Sequence, residues 1–297
     1  MTIRFHYGGQ AVMEGVMIRG QKVAATVVRR PNGELVTNTK SLSSLYTGRM
    51  RRTPFIRGVI VLLESLVLGI KSLVYSANVS LEEEEEKISG VSVWFILVVS
   101  LILAVGLFFL APLFLTKLID PYISSSLVFH LIEGFVRLAI FICYLKLISL
   151  LPDIKQAFAY HGAEHKTIHA YEDGAALEPE AIRKYSTSHA RCGTAFLLAV
   201  LVIAILVFAL IGRQAIWLMV VSRILLLPVI ASFGYEVTQF GARHMKNGFI
   251  RAIMTPGLWL QSLTTREPDD SQIEVAATAL KEVLAIDQTE EAAQASS

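Results

Sequence analysis

ISGVSVWFILVVSLILAVGLFFLAPLFLT, Ile88 to Thr116, runs for 29 residues without a charged side chain. A helix needs roughly 20 apolar residues to cross the hydrocarbon core of a bilayer. Val91–Phe114 therefore reads as a transmembrane helix, and the chain as an integral membrane protein. Composition agrees: the 297 residues are 54% hydrophobic and 18% charged, with a mean hydropathy of +0.55. Soluble domains carry about 25% charge.

Three more apolar stretches follow. Leu127–Leu151 is interrupted by Glu133, Arg137 and Lys146, but Glu133 and Arg137 are four apart and can pair on one helix face. Thr194–Gly212 is uncharged, and Gln214–Phe233 holds Arg223 and Pro228, the latter a kink signal. Short links join the first two and the last two, so the expected fold is mainly α: four transmembrane helices as two hairpins, residues 91–151 and 194–236. Phe55–Asn78 is ambiguous. Glu64, Ser65, Lys71 and Ser72 fall on one side of a helix and Leu62, Leu66, Ile70 and Leu73 on the other. Residues 55–80 therefore read as an amphipathic helix at the membrane surface or packed under the polar domain, rather than a fifth span.

Charge sets the orientation. Residues 1–57 carry ten Lys/Arg against Glu14 and Glu34, and Arg243, Lys246 and Arg251 follow the fourth span. Four spans put both basic regions on one side, with the 152–193 segment between the hairpins. The positive-inside rule makes that side the cytoplasm, with both termini there and the protein in the cytoplasmic (inner) membrane. The N-terminus lacks the apolar core of a signal peptide. The basic residues suit anionic lipid headgroups of the inner leaflet. Few aromatics are interleaved with them, so nucleic acid is not an expected partner.

The parts outside the spans make a small mixed α/β cytoplasmic portion. In residues 1–54, Val23, Ala25 and Val27 alternate, Pro31-Asn32-Gly33 turns and Leu35-Val36 returns, a hairpin pattern. The glycines at 8, 9 and 15 suit tight packing in a small β-unit better than an anion cradle. Glu267-Pro268-Asp269-Asp270 starts a helix within residues 237–286. Residues 287–297, poor in apolar side chains, are expected to be a disordered tail.

The chemistry concentrates in 152–193, which holds four of the seven histidines. On a helix, His161 and His165 lie one above the other and can aim two imidazoles at one metal ion. His-x-x-Glu-His is the order of the inverzincin peptidases, which makes Glu164 the candidate base. His189 and Cys192, three apart, complete a set of four, His161, His165, His189 and Cys192. Thiolate and imidazole together select zinc or another divalent transition metal. Four protein ligands would close a structural site, and three plus water would make a catalytic one. His169 continues the 161/165 face; Glu236 could complete such a site from a distance, but it reads better as a charge at a membrane boundary. Cys143, in an apolar run, does not suggest a disulfide with Cys192.

Gly8-Gly-Gln-Ala-Val-Met-Glu-Gly-Val-Met-Ile-Arg-Gly20, His161-Gly-Ala-Glu-His-Lys166, His189-Ala-Arg-Cys-Gly-Thr194 and Thr264-Thr-Arg-Glu-Pro-Asp-Asp270 together resemble a bacterial membrane family of unknown function. Its members are called YqhQ-like or predicted metal-dependent enzymes. The resemblance covers about residues 5–285. It implies an integral membrane protein with a suspected metal role, and no particular reaction. The expected function is a zinc-dependent hydrolase at the cytoplasmic membrane face, with Glu164 activating water. The alternatives are a non-enzymatic scaffold with a structural zinc site and a transporter using Glu133, Arg137 and Arg223.

Overall fold

The computed structural model describes residues 5–48, 51, 53–80, 90–212 and 214–295. Four strands come first: β1 (Gly8–Val12), β2 (Gly15–Arg19), β3 (Val23–Arg29) and β4 (Leu35–Ser41). A short α1 (Ser44–Thr47) leads to α2 (Ile56–Ser80). Then α3 (Gly90–Val105) passes through one π-helical turn, Gly106–Leu110, into α4 (Ala111–Leu118). The rest are α5 (Ser126–Ile148), α6 (Pro152–Glu172), α7 (Pro179–Ile182), α8 (Gly193–Ile211), α9 (Ile216–Arg243), α10 (Gly248–Gln261) and α11 (Asp270–Ala295).

The strands form one antiparallel meander in the order β1-β2-β3-β4. The β3–β4 hairpin pairs Val27 with Thr37, and Gly33 takes the left-handed conformation its turn needs (φ 88°). β2 and most of β3 are buried on both faces, which explains their nearly unbroken apolar sequence. Val16, Ile18, Val23, Ala25 and Val27 face α6 and α11, among Tyr160, Ile273, Leu280 and Val283. Val12, Met17, Ala24 and Val28 face α2 at Val79, Leu68 and Tyr75. At about 1.5–3 kcal/mol for each large side chain removed from water, this three-layer sandwich is the main apolar core outside the long helices.

α2 is amphipathic in an inverted sense: its polar side is the buried one. Glu64 accepts a 3.1 Å bond from Arg19 Nε and pairs with Arg51. Ser72 bonds Thr26, and Ser76 takes the Met13 N–H. Ser65 and Lys71 are exposed, so only part of the expected polar stripe meets the sheet. Leu63, Leu66 and Leu73 project outward. At its start, Gly58 presses on Ser232 of α9, and Arg57 pairs with Glu236.

Four helices among the described residues are long and apolar enough to cross a membrane: Ile56–Ser80, Gly90–Leu118, Gly193–Ile211 and Trp217–Arg243. The expected set differed at one place, with α5 counted and α2 not. α5 joins α6 as a pair bent by 100°, which makes a fifth span if the pair is one. Glu133 and Arg137 of α5 are paired within the fold. Glu133 accepts from Arg137 (2.6 Å) and Arg223 (2.7 Å), and His130 Nδ1 lies 3.2 Å from it. Arg137 Nε also reaches the carbonyl of Phe108, 3.0 Å away in the π turn. The carbonyls displaced by a π turn commonly need an outside donor.

α5 packs on α4 and α8, α8 on α9, and α9 on α2, so the two hairpins lie side by side with α2 alongside. The bend after α5 turns the histidine-bearing α6 across the end of the bundle. The expected tail begins at a residue that is held in place. α11 continues to Ala295, and Asp287 is buried, taking the Gln21 N–H at 2.9 Å. A polar face that caps a strand link looks, in sequence, like solvent-exposed chain.

Glu133→Ala would leave two buried guanidiniums without their carboxylate. A loss of about 3–5 kcal/mol is expected from breaking such a network, read as thermal unfolding in detergent. Replacing Glu133, Arg137 and Arg223 together by leucine or methionine should cost less than the single change.

Candidate metal centre

The centre forms where α6, the N-terminus of α8 and the segment after α10 meet. α6 starts at Pro152, whose missing N–H costs nothing in a first turn. It then presents His161 and His165 one turn apart, with ring centroids 4.4 Å apart. Each ring is aimed by a main-chain carbonyl. His161 Nδ1 is 2.8 Å from Thr264 O, and His165 Nδ1 is 2.5 Å from Thr187 O. A carbonyl can only accept, so both Nδ1 atoms carry the proton and both Nε2 lone pairs are free. Metal-ligating histidines are fixed in this way.

The Nε2 of His161 meets a sulfur. Cys192 is the N-cap of α8, and its Sγ takes the Thr194 N–H at 3.3 Å. Sγ lies 3.4 Å from His161 Nε2. The ligand atoms of His161, His165 and Cys192 all stand within 4.8 Å of one another. Two imidazole nitrogens and a sulfur match the donor set of zinc, and three protein ligands leave one position open.

Glu164 is buried beside this group without joining it. Its Oε1 accepts the Gly9 N–H of β1 at 2.8 Å, and its Oε2 is 3.6 Å from His165 Nε2. The glycine of β1 thus orients a carboxylate 155 residues away. Gly9 combines the two roles weighed for its motif, close packing on Met17 and an amide on an anion, and one oxygen of Glu164 is left facing the centre.

His189 is not brought into the group. Its Nδ1 accepts the Arg191 N–H at 3.3 Å, so its Nε2 carries the proton toward Glu172 Oε2 at 3.4 Å. Both nitrogens are committed, and its place is behind the ligands, with its ring 5.7 Å from that of His165. Burial lowers its pKa, outweighing the opposing pull of Glu172. Burial of Glu172 works against its ionisation. The hydrogen bond from His189 and the charge of Arg191 outweigh that and hold it at about 2, against an ordinary 4.5. This contribution to stability is complete above pH 4.5 and is lost as the pH falls toward 2. His169 Nε2 donates to Ser188 O at 2.8 Å and its ring abuts His189. Glu236 is held by Arg57 and the Phe55 N–H, apart from the centre.

Three positions were missed by sequence reasoning. Gln261, fully buried, grips His189 through both main-chain groups, at 2.9 Å each. Its signal was an amide on the face of α10 that also buries Met254, Gly257 and Leu260. Thr264 supplies the carbonyl for His161, and its hydroxyl meets that of Thr194 at 3.1 Å. Gly162 lets α6 lie against the chain there: a Cβ would stand 2.1 Å from Arg266 O. Lys166, buried, ties the same segment by pairing with Glu267.

Residues 53–286 match the family described as "Protein of unknown function (DUF1385)". The chain belongs to this family. It is 34% identical over 297 residues to the "Uncharacterized protein YqhQ" of Bacillus subtilis (strain 168), across 95% of this chain and 93% of that one. No solved structure matches significantly. The resemblance seen in the sequence is therefore upheld for the family, whose description names no metal and no reaction.

His189→Ala should keep bound zinc, whereas His165→Ala and Cys192→Ala should lose it, measured by elemental analysis of purified protein. Gln261→Ala and Gly162→Ala, which disturb the groups behind the ligands, should weaken zinc by about 10- to 100-fold.

Proposed function

We propose that this protein is a zinc-dependent hydrolase acting at the cytoplasmic face of the inner membrane, on a peptide, lipid-linked or other membrane-proximal substrate. The observation that carries the reading is the pair of histidines with both Nδ1 atoms on carbonyls, His161 Nε2 3.4 Å from Cys192 Sγ, and the ligand atoms of all three residues within 4.8 Å of one another. His161, His165 and Cys192 would hold the ion, which when bound supplies Lewis-acid polarisation and an acidified water. Glu164, fixed by the Gly9 amide, keeps Oε2 beside His165 as the proton acceptor. Cys192 begins an apolar helix long enough to cross a membrane, which supports a site near the bilayer boundary.

The basic N-terminal region and the Arg243–Arg251 cluster support a cytoplasmic placement of both termini and contact with anionic lipids. Reporter fusions at each end test this: cytoplasmic reporters should be active at both. Transport through Glu133, Arg137 and Arg223 has less support, because the three charges pair with one another.

A closed structural zinc site on a membrane scaffold is the second reading, favoured by the burial of His165 and Cys192 (3% and 4% exposed). Glu164→Gln separates the two. Under the hydrolase reading the variant keeps its metal and fold and loses about 10²- to 10⁴-fold in turnover, assayed on lipid, lipid-linked and peptide substrates. Under the scaffold reading Glu164→Gln changes nothing and His165→Ala unfolds the protein. A purified protein without stoichiometric transition metal would refute both.

A further inference from the structure

We propose that the groove between α2 and the β3–β4 hairpin binds the phosphate of an anionic lipid headgroup. It is lined by Asn38 and Lys40 of β4, Thr26 of β3, and Lys71, Ser72 and Tyr75 of α2. Asn38 and Lys40 are two apart, so both lie on the sheet face that meets α2; Val36 and Leu42 on that face pack into the same small core. Lys71 stands across from them. At about 100° per residue it falls between the sheet-facing side of α2 and the exposed ridge of Leu63, Leu66 and Leu73.

The chemistry is that of an anion site. Two lysines from different elements flank the groove, and no carboxylate among the described residues pairs with either. At its base the hydroxyls of Thr26 and Ser72 are 3.1 Å apart and buried. Their mutual bond uses one of two hydroxyl protons, which leaves one donor for an incoming oxygen. The Asn38 amide adds donors. Lysine ammoniums bind phosphate as point charges. The adjoining leucine ridge selects a lipid over free phosphate, because a headgroup held by Lys71 lays its acyl chains along those side chains.

The inference rests on the placement of α2 at the membrane surface and is independent of the metal centre. It is tested on the full chain in an uncharged detergent, by native mass spectrometry with dioctanoyl phosphatidylglycerol, dioctanoyl phosphatidylcholine and inorganic phosphate. Saturable binding of phosphatidylglycerol is expected, in preference to phosphatidylcholine. Near a charged surface each lysine is worth a factor of about five, so Lys40→Gln and Lys71→Gln should each weaken binding about fivefold and the double variant about thirtyfold. Lys155→Gln, on α6, should leave it unchanged. Binding by the double variant within about twofold of the parent would overturn the assignment, as would inorganic phosphate displacing the lipid at equal concentration. Repeating the titration after chelation separates this result from any failure of the metal reading. Lipid-phase labelling of Leu66→Cys, in a Cys143→Ser background, reports the placement of α2 separately.

Discussion

Two hydrogen bonds govern the histidine-bearing end of this molecule: those from the Nδ1 protons of His161 and His165 to the carbonyls of Thr264 and Thr187. A lone imidazole chooses freely between tautomers and rotates about two bonds. Held by a carbonyl, it offers one lone pair in one direction. The structure around it serves to keep those carbonyls still. α10 delivers Gln261 and Thr264, Gln261 clasps His189, and Gly162 admits the Arg266 carbonyl against α6. The centre is therefore a property of three separate chain segments.

The same economy appears deeper in the bundle. One carboxylate, Glu133, satisfies two guanidiniums drawn from two helices, and one of these also supplies a donor to the π turn of a third. Such a network is expensive to assemble in an apolar setting and severe to break, so it fixes which helices are neighbours more than it adds stability. α2 solves a related problem by turning its polar residues to the sheet and its leucines outward.

Much of this was legible in the sequence, for identifiable reasons. The β3–β4 hairpin was announced by alternation and a Pro-Asn-Gly turn, and the start of α11 by Asp269, which caps Gln272 N at 2.9 Å. The apolar stretches, and two histidines at helical spacing with a cysteine at a helix start, were equally plain. What failed were inferences that spacing cannot settle. His189 and Cys192 are three apart, yet the Arg191 amide takes the lone pair that would have made His189 a ligand. The 100° bend between α5 and α6 went unforeseen, because a run of residues does not record it. The polar end of α11 looked disordered because its partner, Gln21, lies 266 residues away. β1 and β2 are too short, and too rich in glycine, to be told from loop.

The layering of the sheet also bears on how the chain comes off the ribosome. The meander lies far ahead of α11 in the chain, yet α11 covers one of its faces. Thr264, which orients His161, is likewise made about a hundred residues after it. During synthesis the early strands keep an apolar face open while the long helices are laid down. Contacts so distant in sequence close slowly, and an open strand face is the usual starting point for misassociation. The contact that aims His161 thus closes only after α10 has been made, and until then the open strand face needs shielding.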